Sequence, residues 1–154
     1  EFRRVLFRSS PTRRKRVVVS QGLVRQHRGA WIAELSILHR FETLDDWGLF
    51  LQQPQAWIGG FDAPFGLPRE LVQTLGWPQT WRDCMQHYLS LERREIRDTF
   101  AAFCQARPVG SKFAHRRTDG PAGSSPSMKW INPPVAYMLH VAVPRLLEIG
   151  RAHV

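Results

Sequence analysis

The sequence predicts an α/β domain: an incomplete mixed sheet with an antiparallel hairpin, and helices in the C-terminal half. Three observations predict it. Residues 16–21 and 30–38 are apolar, partly β-branched runs close together near the start. Residues 56–61 form a third apolar run that ends in Asp62 and a turn dense in Pro and Gly. From Pro68 onward, apolar residues recur at helical spacing.

The elements follow in order. Arg16-Val17-Val18-Val19-Ser20-Gln21 reads as a strand, because β-branched side chains suit a pleated surface. Gly22 to Gly29 reads as a polar connection, and Ala30 to Leu38 as a second strand. A short connection makes the two an antiparallel hairpin. Thr43 caps a helix, with Asp46 three residues on and Leu44, Trp47, Phe50 and Leu51 on one face. Pro54 ends it, and the strand 56–61 follows. Pro68 opens a short helix that Gly76 closes. Thr80 with Asp83 starts another, on which Trp81, Met85, Tyr88 and Leu89 line up. A third runs from about Glu92 to Ala106, with Ile96, Phe100, Phe103 and Cys104 inward. Residues 107–127 form a long loop rich in Gly, Ser, Pro and basic residues. Asn132-Pro133 starts a last helix with Val135, Met138, Leu139, Val143 and Leu146 inward and a kink at Pro144.

The two ends stand apart. A nucleotide string that encodes Glu1 to Ser9 has a reverse complement that encodes Glu148 to Val154 and a stop, one base out of frame. The string also looks like a common sequencing adaptor. Residues 1–9 and 148–154 are therefore expected to be translated adaptor and are set aside from the fold. Residues 10–147 are then expected to be an internal piece of a longer domain. The net charge of +9 falls to about +7 once residues 1–9, with three Arg and one Glu, are removed. A basic balance suits a polyanionic partner and says nothing of fold. An apolar fraction of 43% with six Trp excludes a disordered tail. Cys84 and Cys104 lack ligand spacing and read as core thiols in a reducing, cytoplasmic compartment. No run has the length of a membrane-spanning helix.

The order strand, strand, helix, strand, with one strand lost before residue 10, is the opening order of the RNase H-like fold. In that fold the fourth strand lies parallel to the first, and their ends carry acidic residues side by side. A set of motifs points the same way: Gly59-Gly60-Phe61-Asp62-Ala63-Pro64-Phe65-Gly66-Leu67-Pro68-Arg69, Leu75-Gly76-Trp77-Pro78, His115-Arg116-Arg117-Thr118-Asp119, Ser125-Pro126-Ser127-Met128-Lys129 and Asn132-Pro133-Pro134-Val135. Together they resemble an uncharacterised family of predicted RNase H-like nucleases, the domain of unknown function 429, across residues 10–147. The resemblance implies a metal-dependent nuclease whose first strand carries an Asp before a turn similar to Ser10-Pro11-Thr12. That Asp would fall where the adaptor now stands, and a later acidic residue beyond Leu147. Only Asp62 of the expected acidic cluster maps onto the chain.

Phosphodiester cleavage needs a water nucleophile and stabilised charge on two oxygens, which two Mg²⁺ about 3.5–4 Å apart supply. Mg²⁺ takes hard oxygen ligands, so carboxylates at strand exits suffice. Asp62 is the expected Mg²⁺ ligand and catalytic residue; capping of the turn before Ala63-Pro64 is its other role. One acidic residue cannot hold a metal pair, so the chain is expected to be inactive as it stands. Asp119 is a second candidate ligand, with an arginine pair as the favoured reading, and His115 a candidate proton shuttle. Arg13, Arg14, Lys15, Lys112, Arg116, Arg117 and Lys129 are the candidate nucleic-acid contacts, since phosphate binding draws on basic loops. Two alternatives stay open. One is a non-enzymatic nucleic-acid-binding domain on the same fold. The other is a phosphotransferase of the sugar-kinase and actin type, which would want a Gly-rich phosphate loop after the first strand.

Overall fold

The computed structural model describes residues 2–8, 16–54 and 56–152. The chain forms two compact units, residues 1–63 and 64–154.

The first unit is built on one sheet. Val17, Val19 and Gln21 are buried while Val18 and Ser20 are more exposed, the period-two pattern of a strand with one covered face. The strands are β1 (Phe2–Arg8), β2 (Val17–His27), β3 (Ala30–Phe41) and β4 (Ile58–Asp62), in the order β3-β2-β1-β4. β1 and β3 both run antiparallel to β2, and β4 runs parallel to β1. The antiparallel hairpin and the mixed sheet are as expected. Residues 2–8, set aside from the fold in the sequence reading, form β1 between β2 and β4. Strand formation here needs only composition: Val5, Leu6 and Phe7 are good strand formers beside two strands with open edges.

The connection expected over residues 22–29 shrinks to Arg28-Gly29. Both have positive φ, 49° and 83°, as the tight turn of a two-residue hairpin demands. The ladder therefore runs on to His27↔Ala30. It slips once: Gln21 pairs with Ile37 but Gly22 with Leu35, which leaves Ser36 over in a bulge. The bulge brings the Glu34 carbonyl against Gly22, where a Cβ would collide with its oxygen. Gly22→Ala should therefore cost about 2 kcal/mol, as overpacking does. The midpoint of urea unfolding measures this; an unchanged midpoint would mean that the bulge relaxes freely.

Helix α1 (Leu44–Leu51) links β3 to β4. Thr43 caps it, its Oγ1 accepting from the Asp46 backbone N–H at 3.0 Å. Trp47 and Leu51 are buried, Phe50 packs against the rings of His39 and Phe41, and Trp47 sets its edge on Phe61. These contacts bury the face that Val19 and Gln21 present, and Gln21 Oε1 lies 2.7 Å from His39 Nε2.

The second unit is helical: α2 (Arg69–Thr74), α3 (Trp81–Ser90), α4 (Arg93–Gln105) and α5 (Val135–Ala152). Pro68 precedes α2, and Gly76 follows it with φ 65°. Thr80 caps α3 and Glu92 forms a capping box with Glu95 on α4. Ile96, Phe100, Phe103 and Cys104 are buried as expected. On α3 the covered face is Cys84, Met85 and Tyr88, while Trp81 and Leu89 are exposed. Trp81 stands in the first turn and donates from Nε1 to the Phe65 carbonyl at 2.5 Å, which takes it away from the core. α5 buries Ala136, Leu139, Ala142, Val143, Leu146 and Leu147. It starts at Val135, three residues after Asn132, and runs through residues 148–152, which lie outside the fold expected from the coding pattern. Among the described residues, no helix is long and apolar enough to cross a membrane.

Candidate nucleic-acid interface

Asp62 ends β4 and is exposed. The parallel pairing of β4 with β1 brings the ends of the two strands side by side, and the residue opposite Asp62 is Arg8. The motif that carries Asp62 is divided. Gly59 to Ala63 belong to the sheet unit, and Pro64 to Pro68 to the helical unit, where Pro64 and Pro68 are buried.

The long loop after α4 is held at several points. Arg107 donates from Nε to the Ser111 carbonyl at 2.7 Å, pairs with Glu70 and lies over the Phe103 ring. The Ala114 N–H donates to the Met128 sulfur at 3.3 Å, and the Ala136 N–H to the Lys129 carbonyl at 2.8 Å. At its centre Asp119 has no exposed side-chain surface. Its carboxylate accepts from the Arg116 backbone N–H and Nε, each at 2.8 Å, from Arg116 Nη2 at 2.7 Å and from the Ser124 hydroxyl at 3.3 Å. The Asp119 carbonyl accepts from the Ser124 N–H at 2.9 Å. A carboxylate with four donors and no open side holds a turn together rather than offering lone pairs to a metal. Of its two expected roles, the arginine pair is the one observed.

That pairing also engages Arg116, whose side chain is largely covered. Lys112, His115 and Arg117 are exposed on the same loop, and Lys129 is half-buried. Trp130 packs against Phe113 with centroids 5.8 Å apart, so its ring has a protein partner. Arg13, Arg14 and Lys15 lie outside the described residues. The structure thus leaves Lys112, Arg117 and Lys129 as described basic side chains of this loop that are free of the Asp119 cluster. The residues 22–29 expected as a polar connection include Arg25, His27 and Arg28, which with Trp31 are all exposed at the β2–β3 tip. Gly29 before a renewed apolar run is the one local signal for a turn here.

A metal pair needs two or three converging carboxylates. Among the described residues no group of three His, Cys, Asp or Glu is placed to hold a metal ion. With Arg8 opposite Asp62 and Asp119 enclosed, the residues present do not fit a Mg²⁺ pair. Comparison with family models, curated proteins and solved structures returns no match.

Proposed function

We propose that this chain is a nucleic-acid-facing piece of a metal-dependent nuclease with an RNase H-like sheet, inactive in its present form. The observation that carries this is the parallel pairing of β1 with β4, with Asp62 at the shared end. Ligands of α/β sheets gather beyond the carboxyl ends of such strands. The order β3-β2-β1-β4, with only the β1–β4 pair parallel, supports the fold assignment. Arg8 stands where a second carboxylate is needed, so chemistry through Mg²⁺ is assigned to the parent domain alone. The two buried, free cysteines suit a reducing, cytoplasmic setting.

Non-enzymatic nucleic-acid binding is the second reading, and the Arg8–Asp62 register favours it for the chain as it stands. A sugar-kinase or actin-like phosphotransferase has less support, because the hairpin offers no Gly-rich phosphate loop.

A cleavage and binding assay on labelled oligonucleotides with Mg²⁺ tests the proposal. Wild type and Asp62→Asn should both bind, less tightly as salt rises, and neither should cleave. Cleavage lost in Asp62→Asn would place the whole acidic set within this chain. Cleavage untouched by Asp62→Asn would remove Asp62 from the reaction.

A further inference from the structure

The β2–β3 hairpin closes in a tight two-residue turn. β2 and β3 pair through Arg25↔Ile32, Gln26↔Trp31 and His27↔Ala30 up to the turn at Arg28-Gly29. Residues 25–31 are all exposed. The end of the hairpin is a two-stranded ribbon with its tip open to solvent.

The two faces of the ribbon differ. Strand alternation puts Arg25 and Glu34 on one face, where they form an ion pair. The other face carries Gln26 and Trp31 as a direct cross-strand pair, and Trp31 is 68% exposed. Arg28 occupies the turn itself. An indole left this open contributes little to folding and offers a flat ring to a ligand. The amide of Gln26 beside it supplies a donor and an acceptor.

We infer that the hairpin tip binds single-stranded nucleic acid, with an unpaired base stacked on Trp31 and a backbone phosphate on Arg28. This rests on the nucleic-acid reading above and adds a second contact region to it. Base-on-aromatic stacking and a nearby cation are what single strands require. Charge complementarity points the same way, since the chain carries +9 and the tip carries no acidic residue. A lipid surface fits less well. A membrane-inserting hairpin puts its apolar residues at the turn, whereas here the turn is His27-Arg28-Gly29 and the tryptophan lies behind it.

Fluorescence anisotropy of a labelled single-stranded oligonucleotide with the whole chain tests the inference. Trp31→Ala should weaken binding about tenfold, and Trp31→Phe should recover much of it, because a ring is restored. Arg28→Glu should weaken binding similarly and lower the salt slope by about one. Duplex of the same sequence should bind less tightly and respond little to Trp31→Ala. Circular dichroism checks that each variant keeps its fold. If the hairpin variants bind like wild type while Lys112→Glu/Arg117→Glu does not, the tip is not the site and the nucleic-acid reading stands. If wild type binds no oligonucleotide at low salt, both fall. Trp31-dependent binding to phosphatidylserine vesicles without oligonucleotide binding would make the occupant a lipid surface and overturn the inference.

Discussion

Asp119→Ala is expected to destabilise the helical unit by about 3 kcal/mol, because it breaks a buried charge pair and orphans its donors. The carboxylate is fully enclosed and takes two bonds from the Arg116 guanidinium, one from its backbone N–H and one from Ser124. Without it, the Arg116 N–H and Ser124 hydroxyl lose their acceptor, and the guanidinium loses its counter-charge. Arg116 keeps some solvent access, which holds the cost below that of a wholly buried ion. Asp119→Asn should cost less, since one oxygen can still accept the backbone N–H, but its amide N–H₂ faces the guanidinium. The loop turn should loosen in both, so Lys112 and Arg117 lose their fixed spacing and oligonucleotide affinity should drop with stability. Urea unfolding and anisotropy together check this. A loss of under about 1 kcal/mol, the range of exposed pairs, would mean that water replaces the carboxylate and that the pair is not structural.

Phe100→Ala is expected to cost more, about 4 kcal/mol, as large-to-small changes at aromatic core sites do. Phe100 is fully buried, stacks with Tyr88 at 6.1 Å and 5°, and meets Trp77 at 6.1 Å. Its removal leaves a cavity between α3 and α4, each of which is already fixed at its start by a cap. Such a loss is a large part of the about 5–15 kcal/mol that holds a typical domain. Tyr88→Phe separates packing from polarity at the same place. The Tyr88 hydroxyl donates to the Ala136 carbonyl at 2.8 Å, and burial pushes its pKa far up, so it stays a neutral donor throughout the working range. Removing it should cost about 1 kcal/mol. Unfolding midpoints that rank Phe100→Ala below Tyr88→Phe bear this out; the reverse order would contradict it.

Local chemistry is what made much of this fold legible. Thr43 and Thr80 announce α1 and α3 through caps that lie within three residues of their partners. Ile96, Phe100, Phe103 and Cys104 announce the covered face of α4 through period alone. What escaped depends on distant partners. Gly22 to His27 reads as a polar connection, yet ladder bonds to β3 hold it as strand. Arg28 carries no signal for φ 49°, which a non-glycine residue adopts rarely and here adopts for the twist of the hairpin. Residues 2–8 were set aside on their coding pattern, whereas pairing responds to side-chain composition. On the site side, Asp62 at a strand exit was legible from its turn. The arginine pair of Asp119 was legible from Arg116 and Arg117 beside it, whereas its full enclosure was not, because burial is set by the whole loop.

The central proposal is that Asp62 marks a metal position, with Arg8 standing opposite it where that proposal needs a second carboxylate. Calorimetric titration with Mn²⁺ tests it most directly, on wild type, Arg8→Asp and Arg8→Asp/Asp62→Asn. Paired residues on adjacent strands lie about 5 Å apart, so Arg8→Asp sets two carboxylates at neighbouring positions. Wild type should bind weakly, Arg8→Asp should gain affinity, and the double variant should lose that gain. An Arg8→Asp chain that folds but binds no better than wild type, or a gain that survives Asp62→Asn, would contradict the claim.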